Sequence, residues 1–182
     1  MRMFRLAVLL ALGATGPAAM AAATQNTHNT YESFVRLAGG GLAAGQPGLH
    51  ANAFFSFGIS RAEATRQVSD LLGGVSQTGI GHACGARPLA FARFRTLTLW
   101  FRSGRFVGWS LAGPRLLHPI ESEWQIGIGS TRGDLAEQDD SAFRRTARGT
   151  EFDADGMHGL LTGRGARARV SAIWAGTTCR GR

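Results

Sequence analysis

The chain contains no lysine, so all 20 of its basic residues are arginines. With 12 acidic residues, the chain has a formal net charge of +8. A positive charge of this size favours anionic partners in general. The arginines, however, are scattered along the sequence and form no basic run. A genome bias towards arginine codons explains their number more simply than a nucleic-acid-binding face. We therefore expect no nucleic-acid partner.

Long apolar segments are also missing, because no run reaches the ~20 residues that a transmembrane helix needs. The apolar run Leu6–Leu12 follows Arg2 and Arg5 and leads to Ala-Met-Ala at residues 19–21, the pattern of a cleavable signal peptide. We predict a signal peptide over residues 1–23 and a periplasmic or secreted protein without a transmembrane segment. Its net charge falls to +6, with 18 arginines against 12 acids. No cysteine lies near the cleavage site, so we expect no lipid anchor.

Cysteine is scarce as well, with only Cys84 and Cys179 in the whole chain. An even pair in an exported protein predicts a disulfide. Cys84 lies near His82, but no further ligand or carboxylate is spaced for a metal site or an activated thiol. The five histidines are dispersed along the sequence. We therefore predict no metal ion and no cofactor.

Two similar segments each indicate the start of a helix. In "GISRAEA", Ser60 and Glu63 have the spacing of a reciprocal capping box, and apolar residues at helical spacing follow. In "GSTRGDL", Thr131 and Asp134 repeat that spacing 71 residues later. The second box should be weaker, because aspartate is shorter than glutamate. Similar caps also arise by chance, so the repeat by itself leaves both interpretations open.

Strand-forming segments follow each helix start. The sequence "TLTLWFRSGRFVGWSL" has two β-rich runs around Ser103-Gly104, and "GLLTGRGARARVSAIWAG" has two more around residues 163–165. We predict an α+β fold of two tandem units, each a short helix followed by an antiparallel β-hairpin or sheet. The predicted divisions after the signal peptide are an irregular N-terminal arm at 24–53, a first unit at 54–113 and a second unit at 114–182.

The repeated "G-x-[ST]-R-x-[DE]" helix start followed by a hairpin resembles a fold shared by two families. These are the SmpA/OmlA small outer-membrane lipoproteins and the β-lactamase inhibitory proteins. The segments "GRFVGWSL" and "IWAGTTCR", with Cys84-Gly85, also resemble exported proteins of Gram-negative bacteria. The resemblance implies a tandem α/β fold and a non-enzymatic role. The lipobox cysteine of the lipoproteins is absent from this chain.

The first hairpin predicts a candidate binding surface. Pairing its strands outward from the turn gives Arg102 with Arg105, Phe101 with Phe106, Trp100 with Val107, Leu99 with Gly108 and Thr98 with Trp109. This pairing places Trp100 and Trp109 on one face, with Arg102 and Arg105 at its tip. Trp174 occupies a comparable place in the second unit. Such a face either packs against other parts of the chain or, because Trp and Arg dominate binding hot spots, contacts a partner.

No Ser-His-Asp arrangement or paired catalytic carboxylates can be singled out in the sequence. The predicted function is therefore a non-catalytic binding protein of the cell envelope, with an unidentified protein or ligand as partner. The predicted binding residues are Trp100, Trp109, Trp174, Arg102 and Arg105. A small periplasmic enzyme, hydrolase-like, with an unrecognised site is the first alternative. A purely structural envelope protein is the second.

Overall fold

Strands make up most of the chain that the structure describes. The computed structural model describes residues 34–45, 53–82, 84, 87–115, 120–138 and 141–179. Of this part, 53% is strand and 15% is helical. The predicted signal peptide lies outside the described residues.

Short strands alternate with two helices along the described chain. In chain order the elements are β1 (Phe34–Ala38), β2 (Gly41–Gly45), β3 (Ala53–Ser56), α1 (Arg61–Leu72), β4 (Gln77–Gly81), β5 (Leu89–Phe94), β6 (Leu97–Arg102), β7 (Arg105–Ala112), β8 (Glu121–Ser122), α2 (Arg132–Ala136), β9 (Ala142–Thr146), β10 (Gly149–Ala154), β11 (Met157–Thr162), a 3₁₀ turn (Gly165–Arg167) and β12 (Arg169–Gly176). Residues 34–45, predicted to be irregular, thus form two strands. Val35 and Leu37 alternate with half-buried neighbours there, as in a strand with one face on the core.

These strands form two sheets. The smaller has the order β3-β2-β1-β8, in which β8 is parallel to β1. The larger has the order β4-β5-β6-β7-β12-β11-β10-β9, and all its neighbouring strands are antiparallel. The large sheet therefore consists of two successive four-strand meanders, joined along β7 and β12.

Both helices begin at the residues that the sequence indicates as caps. The Ser60 hydroxyl accepts from the backbone N–H of Glu63 at 3.2 Å, but the Glu63 carboxylate pairs with Arg66 at 2.7 Å. At α2 both halves of the box are present. Thr131 Oγ1 accepts from the N–H of Asp134 at 3.1 Å, and the Asp134 carboxylate accepts from the N–H of Thr131 at 2.7 Å. The box predicted to be weaker is therefore the complete one.

The predicted α+β fold of two tandem helix-plus-hairpin units is wrong. The protein is mostly β, with sheets of four and eight strands, and within the described residues only α1 has seven residues or more. Helix α2 has five residues and buries only Leu135, too little apolar surface to support a longer helix. The strands assigned to two separate units instead pair through β7 and β12 into one sheet.

The core lies between one face of the large sheet and the elements that cover it. Helix α1 contacts β1, β5 and β7 and buries Ala64 and Val68. Val35 and Leu37 from β1 belong to the same apolar cluster. We call this side of the large sheet the core face and its opposite the second face. The core face of β6 and β7 presents Leu97, Leu99, Phe101, Phe106, Trp109 and Leu111.

A disulfide joins Cys84 to Cys179, which confirms the predicted pair. It links the chain just beyond β4 with the segment that follows β12. None of the described helices combines the length and apolar character needed to cross a membrane.

Candidate functional site

The predicted hairpin turn and the two pairs nearest to it are confirmed. Arg102 pairs with Arg105, and Phe101 pairs with Phe106. Both residues of the turn at 103–104 have positive φ, at 48° and 72°, which suits the right-handed twist of the flanking strands.

Beyond these pairs the predicted register is wrong, because β7 contains a bulge. Trp100 pairs with Gly108, and Leu99 pairs with Trp109. The extra residue is Val107, whose carbonyl accepts from the backbone N–H of Thr177 at 2.8 Å. Since side chains alternate along a strand, a shift of one residue moves Trp109 to the other face.

The bulge separates the predicted tryptophans. Trp109 lies on the core face, is 0% exposed and donates through Nε1 to the carbonyl of Ala38 at 3.0 Å. Trp100 and Trp174 lie on the second face, where they pair in register with Gly108 and Ser110 respectively. They are 8% and 6% exposed. Trp109 therefore serves the core, and the other two present little surface to a partner.

A row of mostly polar side chains crosses the second face. Its members, in register across seven strands, are Gln77, Arg93, Thr98, Ser110, Trp174, His158 and Asp153. Arg93 donates to Gln77 at 2.9 Å, His158 Nδ1 pairs with the Asp153 carboxylate, and the His158 ring stacks on Trp174. The side chains at the two ends of the row thus contact one another.

The histidine–aspartate pair in this row has no bonded nucleophile in the part of the chain that the structure describes. Within the described residues, no serine, threonine or cysteine forms a hydrogen bond with His158. The nearest hydroxyl of the row, on Ser110, instead accepts from Trp100 Nε1 at 2.9 Å. A hydrolytic triad requires a nucleophile bonded to the histidine, and no described residue supplies one to this pair.

The two arginines at the hairpin tip have different surroundings. Arg105 donates to the carbonyl of Gly58 at 3.1 Å and so holds the hairpin against the start of α1. Arg102 lines an open groove of about 390 Å³ together with Arg61 and Arg87. Arg61 lies over the ring of Phe101 at 5.4 Å, which gives the groove an aromatic wall.

Sequence reasoning missed Trp124, although it is the tryptophan most available to a partner. All four tryptophans are described, and Trp124 is 55% exposed whereas the others are buried. It sits in a tight turn after β8. Two hydrogen bonds join Ser122 to Ile126: the Ser122 hydroxyl accepts from the N–H of Ile126 at 3.2 Å, and the Ser122 N–H donates to the Ile126 carbonyl at 2.9 Å. A third runs from the N–H of Gln125 to the Ser122 carbonyl at 3.0 Å. Because Ser122 and Ile126 are buried, the turn holds Trp124 at a fixed point of the surface.

Trp124 stands between two adjoining cavities. One, of about 370 Å³, has an apolar floor and an acidic rim. Its floor is formed by Ile126, Phe152, Met157 and Ile173, and its rim by Glu123, Glu137 and Asp155. The other, of about 410 Å³, is polar and mixed in charge. Trp124, Ile126, Glu137 and Gln138 line both. We call the two cavities together the Trp124 cleft, and the first of them its acidic pocket.

Two carboxyls of the polar cavity have perturbed pKa values. Burial raises the pKa of Glu121, and Arg115 at 4.0 Å opposes this only in part. The backbone hydrogen bond from Thr131, followed by the side-chain bond, lowers the pKa of Asp134. Glu121 therefore takes up a proton more readily than Asp134, whose charge is held by the α2 cap.

No group of three or more histidine, cysteine, aspartate or glutamate residues arranged to hold a metal ion occurs in the part of the chain that the structure describes.

Comparisons of the chain with protein-family models, with curated proteins and with solved structures found no match. The resemblance to the SmpA/OmlA and β-lactamase inhibitory families therefore stays an expectation from short motifs.

Proposed function

We propose that this chain is an exported, non-catalytic binding protein of the cell envelope that contacts its partner through the Trp124 cleft. One observation carries the proposal: a tryptophan that is 55% exposed stands between two adjoining cavities. The signal-like N-terminal sequence and the Cys84–Cys179 disulfide support export.

An exposed tryptophan at the mouth of a cavity is a typical binding hot spot. Tryptophan is enriched among the residues that dominate interface energies, and a large side chain left in water gains apolar contact when a partner covers it. The hydrogen bonds between Ser122 and Ile126 fix the turn that carries Trp124. A turn that is already fixed loses little backbone conformational entropy on binding, which favours affinity.

A capture experiment tests this proposal. Wild-type protein, Trp124→Ala and Phe54→Ala are each immobilised and exposed to envelope extract, and retained proteins are identified by mass spectrometry. Phe54 is a matched control, since it is an aromatic residue 56% exposed on β3. We expect a partner that wild type and Phe54→Ala retain and Trp124→Ala loses.

Calorimetry with the purified partner then measures the loss of affinity directly. A partner retained equally by Trp124→Ala would show that recognition lies elsewhere on the molecule. Trp109→Ala is unsuitable as the test variant, because Trp109 is completely buried and its removal would disturb the fold.

A further inference from the structure

From the acidic pocket of the Trp124 cleft we infer the chemistry of the ligand: a cationic group on an apolar stem, namely an arginine or lysine side chain of a partner polypeptide. This inference rests on the proposed function and adds the class of group that the cleft binds. Three features of the pocket lead to it: its charge, its floor and its aromatic wall.

The described charged residues that line the acidic pocket all have one sign. Glu123, Glu137 and Asp155 contribute carboxylates, and none of the arginines that the structure describes lines this pocket, although the chain has 20 arginines and 12 acids. None of the three carboxylates forms an ion pair with another described residue. They come from separate elements, namely the turn after β8, the end of α2 and the β10–β11 turn. Their charge is therefore available to a ligand of positive sign.

The floor of the acidic pocket suits a methylene stem. Phe152, Met157, Ile126 and Ile173 are core residues, each no more than a few per cent exposed, and part of their surface lines the pocket. Lysine and arginine carry a charged head on an apolar chain of three or four methylenes. A small hydrated metal ion would leave this floor uncovered, whereas such a stem would bury it.

The third feature is the indole of Trp124. A guanidinium or ammonium over a tryptophan face gains a cation–π attraction. The carboxylates and the indole thus favour the same sign of charge. A neutral ligand would gain only the apolar contact, and an anion would be repelled by the carboxylates.

The inference is tested by NMR of the Trp124 indole N–H, assigned by its loss in Trp124→Phe. The probes are acetyl-arginine amide, its neutral counterpart acetyl-citrulline amide, and the set hexylammonium, hexanol and hexanoate. We expect arginine amide and hexylammonium to shift the signal at lower concentration than their neutral counterparts. Hexanoate should be the weakest of all.

Removing the charge should remove the preference for cations. The variant Glu123→Gln/Glu137→Gln/Asp155→Asn should bind hexylammonium about tenfold more weakly while its affinity for hexanol stays unchanged. Asparagine tolerates the positive φ of residue 155, which is 46°, so the turn is retained. A double variant on α1, Glu63→Gln/Asp70→Asn, removes two carboxylates outside the pocket, against three in the triple variant, and should bind as wild type does.

The outcomes separate this inference from the proposed function. If citrulline amide and hexanol bind as well as the cations, or hexanoate binds best, the cationic class is wrong and a binding cleft at Trp124 stands. If the triple variant and the α1 control weaken hexylammonium equally, the pocket carboxylates are not its partners and the inference is again wrong. If no probe of any charge moves the Trp124 signal, both the cationic class and the role of the cleft are overturned.

Discussion

Glu151 is a buried carboxylate whose charge depends on two arginines. Its side chain is 3% exposed, and it accepts hydrogen bonds from Arg144 and Arg148 at 2.8 Å each and from the Thr146 hydroxyl at 3.3 Å. Burial is the largest influence on its pKa and raises it, but the bonds from Arg144 and Arg148 together outweigh burial and lower it. The structure therefore predicts that Arg144→Met/Arg148→Met leaves an uncompensated charge in the fold.

The expected cost is at the lower end of the range for a broken buried pair, which is about 3–5 kcal/mol. Both arginines are partly exposed, so water can approach the carboxylate once they are shortened, and we expect about 3 kcal/mol near neutral pH. Replacing all three side chains, with Glu151→Met added, removes the stranded charge. That triple variant should recover most of the loss.

The pH dependence provides the sharper test. In wild type the pKa of Glu151 is lower in the folded state than in the unfolded state. Its ionised side chain therefore contributes to the free energy of unfolding above the unfolded-state pKa, and this contribution is lost as the pH falls through the folded-state pKa. In the double variant only the long bond from the Thr146 hydroxyl opposes burial, and we expect the folded-state pKa of Glu151 to lie above the unfolded one. Protonation of Glu151 then relieves the buried charge. The deficit of the double variant, which is the difference in free energy of unfolding between wild type and this variant, should therefore become smaller as the pH is lowered from about 7 to about 5.

Urea unfolding at both pH values measures the deficit. The control is Arg145→Met, because Arg145 lies on the same strand but on the opposite face, paired in register with Thr150. It makes no ion pair with a described residue, so its removal should cost less than about 0.5 kcal/mol. A deficit that is equal at the two pH values, or an equally large loss in Arg145→Met, would refute the reasoning.

Three further predictions concern the tryptophans and the disulfide. Trp109→Ala should lower the free energy of unfolding, measured in urea, by about 3–5 kcal/mol, and Trp124→Ala should lower it by less than about 0.5 kcal/mol. Equal losses in the two variants would contradict a buried Trp109 and an exposed Trp124. Acrylamide should quench mainly the emission that Trp124→Phe removes, and quenching that is unchanged in this variant would count against an exposed Trp124. Cys84→Ser/Cys179→Ser should lower the free energy of unfolding by at most about 5 kcal/mol, and reductant should produce the same loss in wild type but none in the variant.

The features that the sequence predicts correctly depend on neighbouring residues. Capping at Ser60 and Thr131 requires only a hydroxyl and a backbone N–H three residues on, and the turn at 103–104 requires two residues that tolerate positive φ. The β1 strand has such a local signal too, in the alternation of Val35 and Leu37. The glycines that follow it in the sequence nevertheless favour an irregular arm.

The features that the sequence misses depend on residues far apart in the chain. The bulge at Val107 is stabilised by the N–H of Thr177, 70 residues later in the sequence. A pairing scheme built on the hairpin alone has no access to that bond. One extra residue was enough to move Trp109 from the predicted binding face into the core.

The Trp124 cleft is also built from residues that lie far apart in the chain, and its tryptophan has a feature by which binding residues can be recognised in a sequence. Its acidic pocket takes Trp124 and Glu123 from the turn after β8, Glu137 from the end of α2, and most of its floor from β10, β11 and β12. In the sequence, Trp124 is flanked by polar residues and belongs to no periodic pattern, so neither the strand nor the helix periodicity singles it out. Its isolation from such patterns is itself informative, because a large apolar side chain that no core pattern accounts for is a candidate for contact with a partner. Applied to all four tryptophans, this criterion selects Trp124, whereas Trp100, Trp109 and Trp174 lie within β-rich runs that the sheets bury.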